Sequence, residues 1–188
     1  MAARSGYNSI TTSDFEMQRG RALMVAALHL AVLAGPRDLH AEPIPEYELK
    51  AAYLYNFMNY TTWPELPNLL RLCVLGPDNF GGALEKLSAR TVQGKPIRIA
   101  SLNSPAQARG CQLLFVTERE AGNMDTIERL LGDAPTLVVT DTPTTPAAAI
   151  QLALQNGRLV FDVDLARLRR SGLMVSAKVL SLARSTRN

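Results

Sequence analysis

Three short apolar runs do most to limit how this chain can fold: LLRLCVLG (69–76), CQLLFVT (111–117) and TLVVT (136–140). All three have the length of strands, and the second and third are apolar throughout, which suits strands buried on both faces. PIRIASL (96–102) alternates as a further strand. Between them lie stretches that read as helices. One covers about 79–87 and starts at Asp78, a capping residue type; the other covers 123–131 and stops at Gly132. Strands interleaved with helices predict an α/β fold, a layered mixed sheet with flanking helices.

The segment that precedes the first of these strands is rich in rings. Of 11 aromatic residues, Tyr53, Tyr55, Phe57, Tyr60 and Trp63 fall within KAAYLYNFMNYTTWP, residues 50–64. Apolar residues recur at Ala51, Leu54 and Met58, with a second row at Tyr53, Phe57 and Tyr60, and these spacings make one broad helical face. Glu46 and Glu48 favour the positive end of the helix dipole. The Trp63-Pro64 step pushes the chain out of the helical region. An N-terminal amphipathic helix is therefore predicted, its rings anchoring the core. Tyr55 stands off both rows; Tyr55, Tyr60 and Trp63 are the candidates for a ligand groove if their rings line a concave surface.

The last third changes period. Ile150, Leu152 and Leu154 alternate with Gln151, Ala153 and Gln155; after Asn156-Gly157, Leu159, Phe161 and Val163 alternate with Val160, Asp162 and Asp164. Period two on both sides of Asn-Gly predicts a C-terminal β-hairpin, the alternative being a helix from Pro146. A short helix at 165–170, a stop at Ser171-Gly172, a small strand at 173–175 and a terminal helix capped by Ser176 and reaching Arg184 complete the reading.

The N-terminal end differs from all of this. Arg19 and Arg21 precede ALMVAALHLAVLAG (22–35), an apolar run of secretory length, and LHA at 39–41 offers a cleavage site. The run is too short to span a membrane. Residues 1–41 are predicted to be a signal peptide, with Met17 able to serve as the start, and residues 42–188 a single domain exported to the periplasm. Cleavage removes His29 and His40, and with them the usual base near neutral pH and the commonest metal ligand. Four of the 20 Lys+Arg and three of the 17 Asp+Glu precede Glu42, leaving 16 against 14. No basic stripe invites nucleic acid, and no later segment is long enough to span a membrane. Cys73 and Cys111, an even pair in an oxidising compartment, favour a disulfide; the alternative is two buried thiols that never meet.

Catalytic arrangements fail for want of a base. Lys50, Lys86, Lys95 and Lys178 sit in surface contexts. Asp162 and Asp164 share one face of a strand, as divalent-metal or acid–base chemistry requires, but an exposed hairpin face gives the same pattern and no third ligand is nominated. LGPDNFGG lacks both phosphate-loop patterns. No cofactor, metal or catalytic residue is predicted, and the chain reads as non-enzymatic. The most functional-looking surface is DVDLARLRR (162–170), where Arg167, Arg169 and Arg170 flank Leu165 and Leu168, a composition common at protein interfaces.

Taken together, these blocks resemble the YfiR family of periplasmic proteins. The resemblance covers about 47–183 and rests chiefly on KAAYLYNFMNYTTWP and NGRLVFDVDLARLRRSGLMVSAKVLSLA, with LRLCVLGPDNF and CQLLFV between them. It implies regulation rather than catalysis: a homodimer that inhibits a membrane-bound diguanylate cyclase by binding its periplasmic sensor domain, lowering cyclic di-GMP and restraining biofilm formation. It also implies a disulfide between Cys73 and Cys111. Asp162, Leu165, Leu168, Arg169 and Arg170 become the expected partner or dimer contacts. Some relatives carry a second cysteine pair in the hairpin region, absent here, and the family's frequent Gly-x-Ile/Met-x-Phe before the hairpin turn is replaced by AAAIQLAL. The alternative function is a periplasmic small-molecule binding module with an aromatic groove.

N-terminal sequencing of protein recovered from the periplasm should begin at Glu42. An uncleaved leader with the product in the cytosol contradicts the export reading.

Overall fold

The computed structural model describes residues 45–142 and 147–188; the expected signal peptide and the alternative helix start at Pro146 lie outside them. α1 (Glu46–Asn59) buries Ala51, Leu54, Phe57 and Met58, with Tyr53 and Tyr60 half-buried beside them. It closes before Trp63 is reached. The Tyr60 N–H donates to the Asn56 carbonyl, and the Thr61 hydroxyl donates to the Phe57 carbonyl at 2.6 Å, a local bond that competes with another helical turn. Thr61–Thr62 then forms β1, paired antiparallel with β9 (Met174–Val175).

The main sheet contains β2 (Leu70–Leu75), β3 (Thr91–Val92), β4 (Lys95–Leu102), β5 (Leu113–Val116), β6 (Leu137–Thr140), β7 (Ile150–Gln155), β8 (Arg158–Asp164) and β10 (Ser185–Arg187). Their order is β10-β8-β7-β6-β5-β2-β4-β3. Neighbours from β4 through β2, β5 and β6 to β7 pair in parallel, β8 is antiparallel to β7, β3 is antiparallel to β4, and β10 is parallel to β8. The architecture is thus the mixed, layered α/β sheet that the sequence predicts. On one face, Leu72, Val74, Phe115 and Val139 share a core with Leu54 and Phe57 of α1. On the other, Leu75, Leu114, Val116 and Val138 pack with Met124, Ile127 and Leu131 of α2 (Met124–Leu131). Cover on both faces is why β5 and β6 carry no polar alternation.

The hairpin forms where Asn-Gly places it. Asn156 and Gly157 have φ of 51° and 72°, the left-handed pair of a two-residue turn matched to strand twist, and the register sets Leu152 opposite Phe161. α3 (Leu165–Arg170) follows directly.

Two expected helices differ. The stretch 79–87 forms turns and then a 3₁₀ helix at Glu85–Ala89, because Gly81 and Gly82 take φ of +56° and +84°, which an α-helix cannot propagate through. Asp78 accepts the Phe80 N–H at 2.9 Å, a turn bond rather than an α-helix cap. The terminal helix is one turn, α4 (Ala177–Leu180), without a side-chain cap from Ser176. The residues beyond it leave the helix for β10, drawn to β8 by tertiary pairing that local propensity does not report.

Cys73 and Cys111 are joined, with Cα atoms 6.0 Å apart, across a sequence separation of 38, and both are buried in the α2-side core. Replacing both by alanine should lower unfolding free energy by about 4 kcal/mol on the chain-entropy estimate. Urea unfolding should show this as a lower midpoint, and reduction of the unchanged protein should reproduce it.

Candidate functional site

The hairpin and α3 carry the expected contact residues in consecutive elements, Asp162 in β8 and Leu165, Leu168, Arg169 and Arg170 in α3. Alternation along β8 turns Leu159, Phe161 and Val163 into the core and leaves Asp162 and Asp164 on the opposite face. Neither carboxylate is idle. Asp162 Oδ1 accepts the Arg184 Nε–H at 3.0 Å and the Ser185 hydroxyl at 2.7 Å, and the Arg184 guanidinium reaches Oδ2 as well. The hydrogen bond from Arg184 holds the Asp162 carboxyl below its ordinary range. This contact therefore stabilises the fold above that range and is lost as pH falls through the lowered pKa. Asp164 caps α3 by accepting the Arg167 N–H at 2.9 Å and lies 3.8 Å from Arg187. The pair serves as a helix cap and an arginine anchor, and the exposed-hairpin expectation is corrected: with β10 beside β8, the two side chains are only 15% and 18% exposed.

α3 sorts its residues sharply. Leu168 is 3% exposed. Expected among the contacts, it is instead the buried residue that seats α3 on the core, out of a partner's reach. Leu165 is half-buried, packed against the same core. Arg167 pairs with Glu128 of α2, and Arg170 approaches the same carboxylate at 3.6 Å. Arg169 and Arg170 are exposed, with Arg169 Nη1 3.5 Å from the Asn188 side chain. Of the expected contacts, Arg169 and Arg170 are exposed and Leu165 is half-buried, whereas the Asp162 side chain is 15% exposed and held by Arg184 and Ser185.

The three aromatic groove candidates do not converge. Trp63 is 5% exposed and belongs to the core. Tyr55 donates its hydroxyl to the Thr91 carbonyl at 3.1 Å, with the Arg90 guanidinium 5.0 Å from its ring centroid. Tyr60 lines a groove of about 290 Å³ together with Tyr53, Phe57, Phe161, Lys178 and Leu182. Lys178 Nζ lies 5.1 Å from the Tyr60 ring centroid. Sequence reasoning missed the other walls because α4 and β8 meet α1 only through the fold.

A further cluster sits at the carboxyl ends of the parallel strands. Lys50, expected at the surface, is 4% exposed. Its ammonium donates to Asp141 at 2.7 Å and pairs with Glu46 at 2.6 Å, one helical turn back, 4.4 Å from the Tyr47 ring centroid. Burial alone would lower its pKa, but the hydrogen bonds to Asp141 and Glu46 outweigh this and raise it. The cluster pins α1 to the end of β6.

Residues 47–184 match the family described as YfiR/HmsC-like. The chain belongs to the YfiR/HmsC-like family. The match spans α1, the disulfide, the hairpin, α3 and α4, and stops short of β10. A solved structure, a conserved domain protein from Vibrio cholerae O1 biovar eltor str. N16961, is similar in fold, with a TM-score of 0.53 at 13% identity. The likeness covers 76% of this chain and 60% of that one, so this chain spans less than two thirds of that protein's length. Among the described residues of this YfiR/HmsC-like protein, no helix is long and apolar enough to cross a membrane.

Replacing Lys50 by methionine strands the Asp141 carboxylate, whose side chain is 9% exposed. Loss of about 3–5 kcal/mol is expected for breaking such a pair from one side. Thermal unfolding should show it, and adding Asp141→Leu to the same chain should restore much of the loss.

Proposed function

We propose that this protein is a periplasmic regulatory binding protein, a homodimer that inhibits a membrane-bound diguanylate cyclase by binding its periplasmic sensor domain and so lowers cyclic di-GMP. Residues 1–41 act as the cleaved leader and 42–188 as the working domain. The observation that carries this reading is the family match over residues 47–184. The buried disulfide supports it, since such bonds persist in oxidising compartments. The exposed arginines of α3 beside half-buried Leu165 have the composition of a protein-binding surface. Asp162, Leu165, Arg169 and Arg170 make the contact, and Leu168 holds α3 in place beneath them. Control works through differential affinity: a releasing signal must change how tightly the sensor domain is held.

A second reading has one observation behind it, the groove of about 290 Å³ walled by Tyr53, Tyr60 and Phe161 with Lys178 at its side. An amphipathic small molecule suits such a groove, which places apolar walls beside a single positioned charge.

Co-purification with the periplasmic domain of a diguanylate cyclase encoded beside this chain tests the first reading. The wild-type protein should retain that domain, and Arg169→Glu should weaken binding about tenfold, equivalent to about 1.4 kcal/mol, with the unfolding transition unchanged. No binding by the wild type removes the hypothesis; unchanged binding by the variant moves the contact off α3. Saturable binding of a small molecule that disappears in Tyr60→Ala, with no cyclase contact, supports the second reading instead.

A further inference from the structure

Sulfur is unevenly placed in this chain. Three of its six methionines, Met1, Met17 and Met24, precede the expected mature start. Of the others, Met58 in α1 is 0% exposed and Met124 in α2 is 3% exposed, each within a core cluster. Met174 is 66% exposed and belongs to neither. Cys73 and Cys111 are joined to each other and buried, which leaves no free thiol. Among the described residues, the sulfur that a reagent in solution can reach is thus a single thioether.

The exposure follows from the backbone. Alternation through β9 sends Leu173 and Val175 one way and Met174 the other: Leu173 is buried and Val175 is half-buried, both against the α1-side core. The antiparallel register with β1 sets Met174 opposite Thr62, which is also exposed. Residues opposed in this way have Cβ atoms about 4.5–5.5 Å apart, so an oxygen added to the Met174 sulfur lies in water with the Thr62 hydroxyl as a neighbouring donor. The backbone beneath does not depend on the side chain. The Ser176 N–H donates to the Tyr60 carbonyl at 2.9 Å, and the Leu173 N–H to the Leu168 carbonyl at 2.8 Å.

We propose that Met174 is a modification site, the position at which peroxide oxidises the folded protein. The sulfur lone pair attacks one oxygen of hydrogen peroxide, the O–O bond breaks, and the departing hydroxide takes up the remaining proton as water. Peroxide is reduced by two electrons and the thioether becomes a sulfoxide. Oxidation of this kind follows access, which Met58 and Met124 lack. A flexible apolar side chain becomes a polar one on the small sheet that ties the end of α1 to the segment between α3 and α4, and no core contact is lost. The proposal requires neither the cyclase nor the groove, so it can fail while either reading of the function survives, and the reverse holds too.

Treating the purified protein with graded hydrogen peroxide and mapping its peptides by mass spectrometry tests this. The Met174 peptide should gain one oxygen, about 16 Da, at concentrations that leave the Met58 and Met124 peptides unchanged, and methionine sulfoxide reductases should remove it. In urea all three peptides should gain oxygen together. Met174→Leu should abolish the first gain, and the singly oxidised protein should keep the unfolding midpoint of the untreated one. Oxidation of Met58 or Met124 in step with Met174 in the folded protein, or no gain at Met174, overturns the proposal. A midpoint lowered by the single oxidation is equally contrary, since it places Met174 in the packing. If Met174→Leu does not fold, the wild-type peptides alone decide.

Discussion

Phe57 of α1 and Phe161 of β8 meet edge to face with ring centroids 5.0 Å apart, and Tyr53 completes the group at 5.8 Å from each. Such geometry sets the positive edge of one ring against the negative face of the next, and burying rings of this kind contributes about 1.5–3 kcal/mol apiece. The contact joins the first described helix to a strand roughly a hundred positions later and so fixes α1 across the parallel strands. Much else depends on that placement. With α1 held there, Lys50 reaches Asp141 at the end of β6, Tyr47 stacks edge-on against Phe80 at 5.2 Å, and the Tyr53 hydroxyl donates to the Leu159 carbonyl at 3.3 Å. The groove beside Tyr60 is a by-product of the same arrangement, since Tyr53, Phe57 and Phe161 line it.

The parts of the fold legible in the sequence are those decided by short-range rules. Apolar runs of strand length reveal β2, β5 and β6, because a strand covered on both faces has nowhere to put a polar residue. Asn156-Gly157 announces the hairpin because few other pairs tolerate two left-handed residues in succession. The helical spacing of Ala51, Leu54, Phe57 and Met58 reveals α1 for the same kind of reason. What stays hidden is decided by distant partners. β10 has a polar sequence without strand character, and its register comes from Asp162 and Asp164. Lys50 reads as an ordinary surface lysine until Asp141 arrives from ninety-one positions away. In α3 the composition LARLRR identifies a surface but cannot say that Leu168 turns inward while Arg169 faces out. Six residues make too short a helix for periodicity to resolve a face. Gly81-Gly82 is the opposite case, a local signal against a helix that the capping aspartate before it obscures.

Charge is distributed in a way that bears on function. Lys50, Arg167, Arg170, Arg184 and Arg187 each face a carboxylate within the chain, Arg170 doing so from an exposed position. Arg169 and Arg170 remain exposed on the outer side of α3. Exposed cations at a rim chiefly raise association rate and exclude like-charged partners, while tight holding comes from apolar contact at the centre. Half-buried Leu165, at the start of α3, is the residue beside these arginines that can supply such contact.

The disulfide lies far from this surface. Cys73 is in β2, and β5, β6 and β7 stand between it and β8, which at about 4.8 Å per strand spacing separates the two by roughly 19 Å. Both cysteines are buried in the core on the α2 side, whereas Leu168 seats α3 in the core on the α1 side. Energetic coupling between such sites needs an element with two discrete arrangements that both can bias. Backbone pairing runs without a break from β2 through β5, β6 and β7 to β8, and both faces of that set are packed. On the chain-entropy account the bond acts on the stability of the whole domain by constraining its unfolded chain, and the hairpin carries no cysteine of its own.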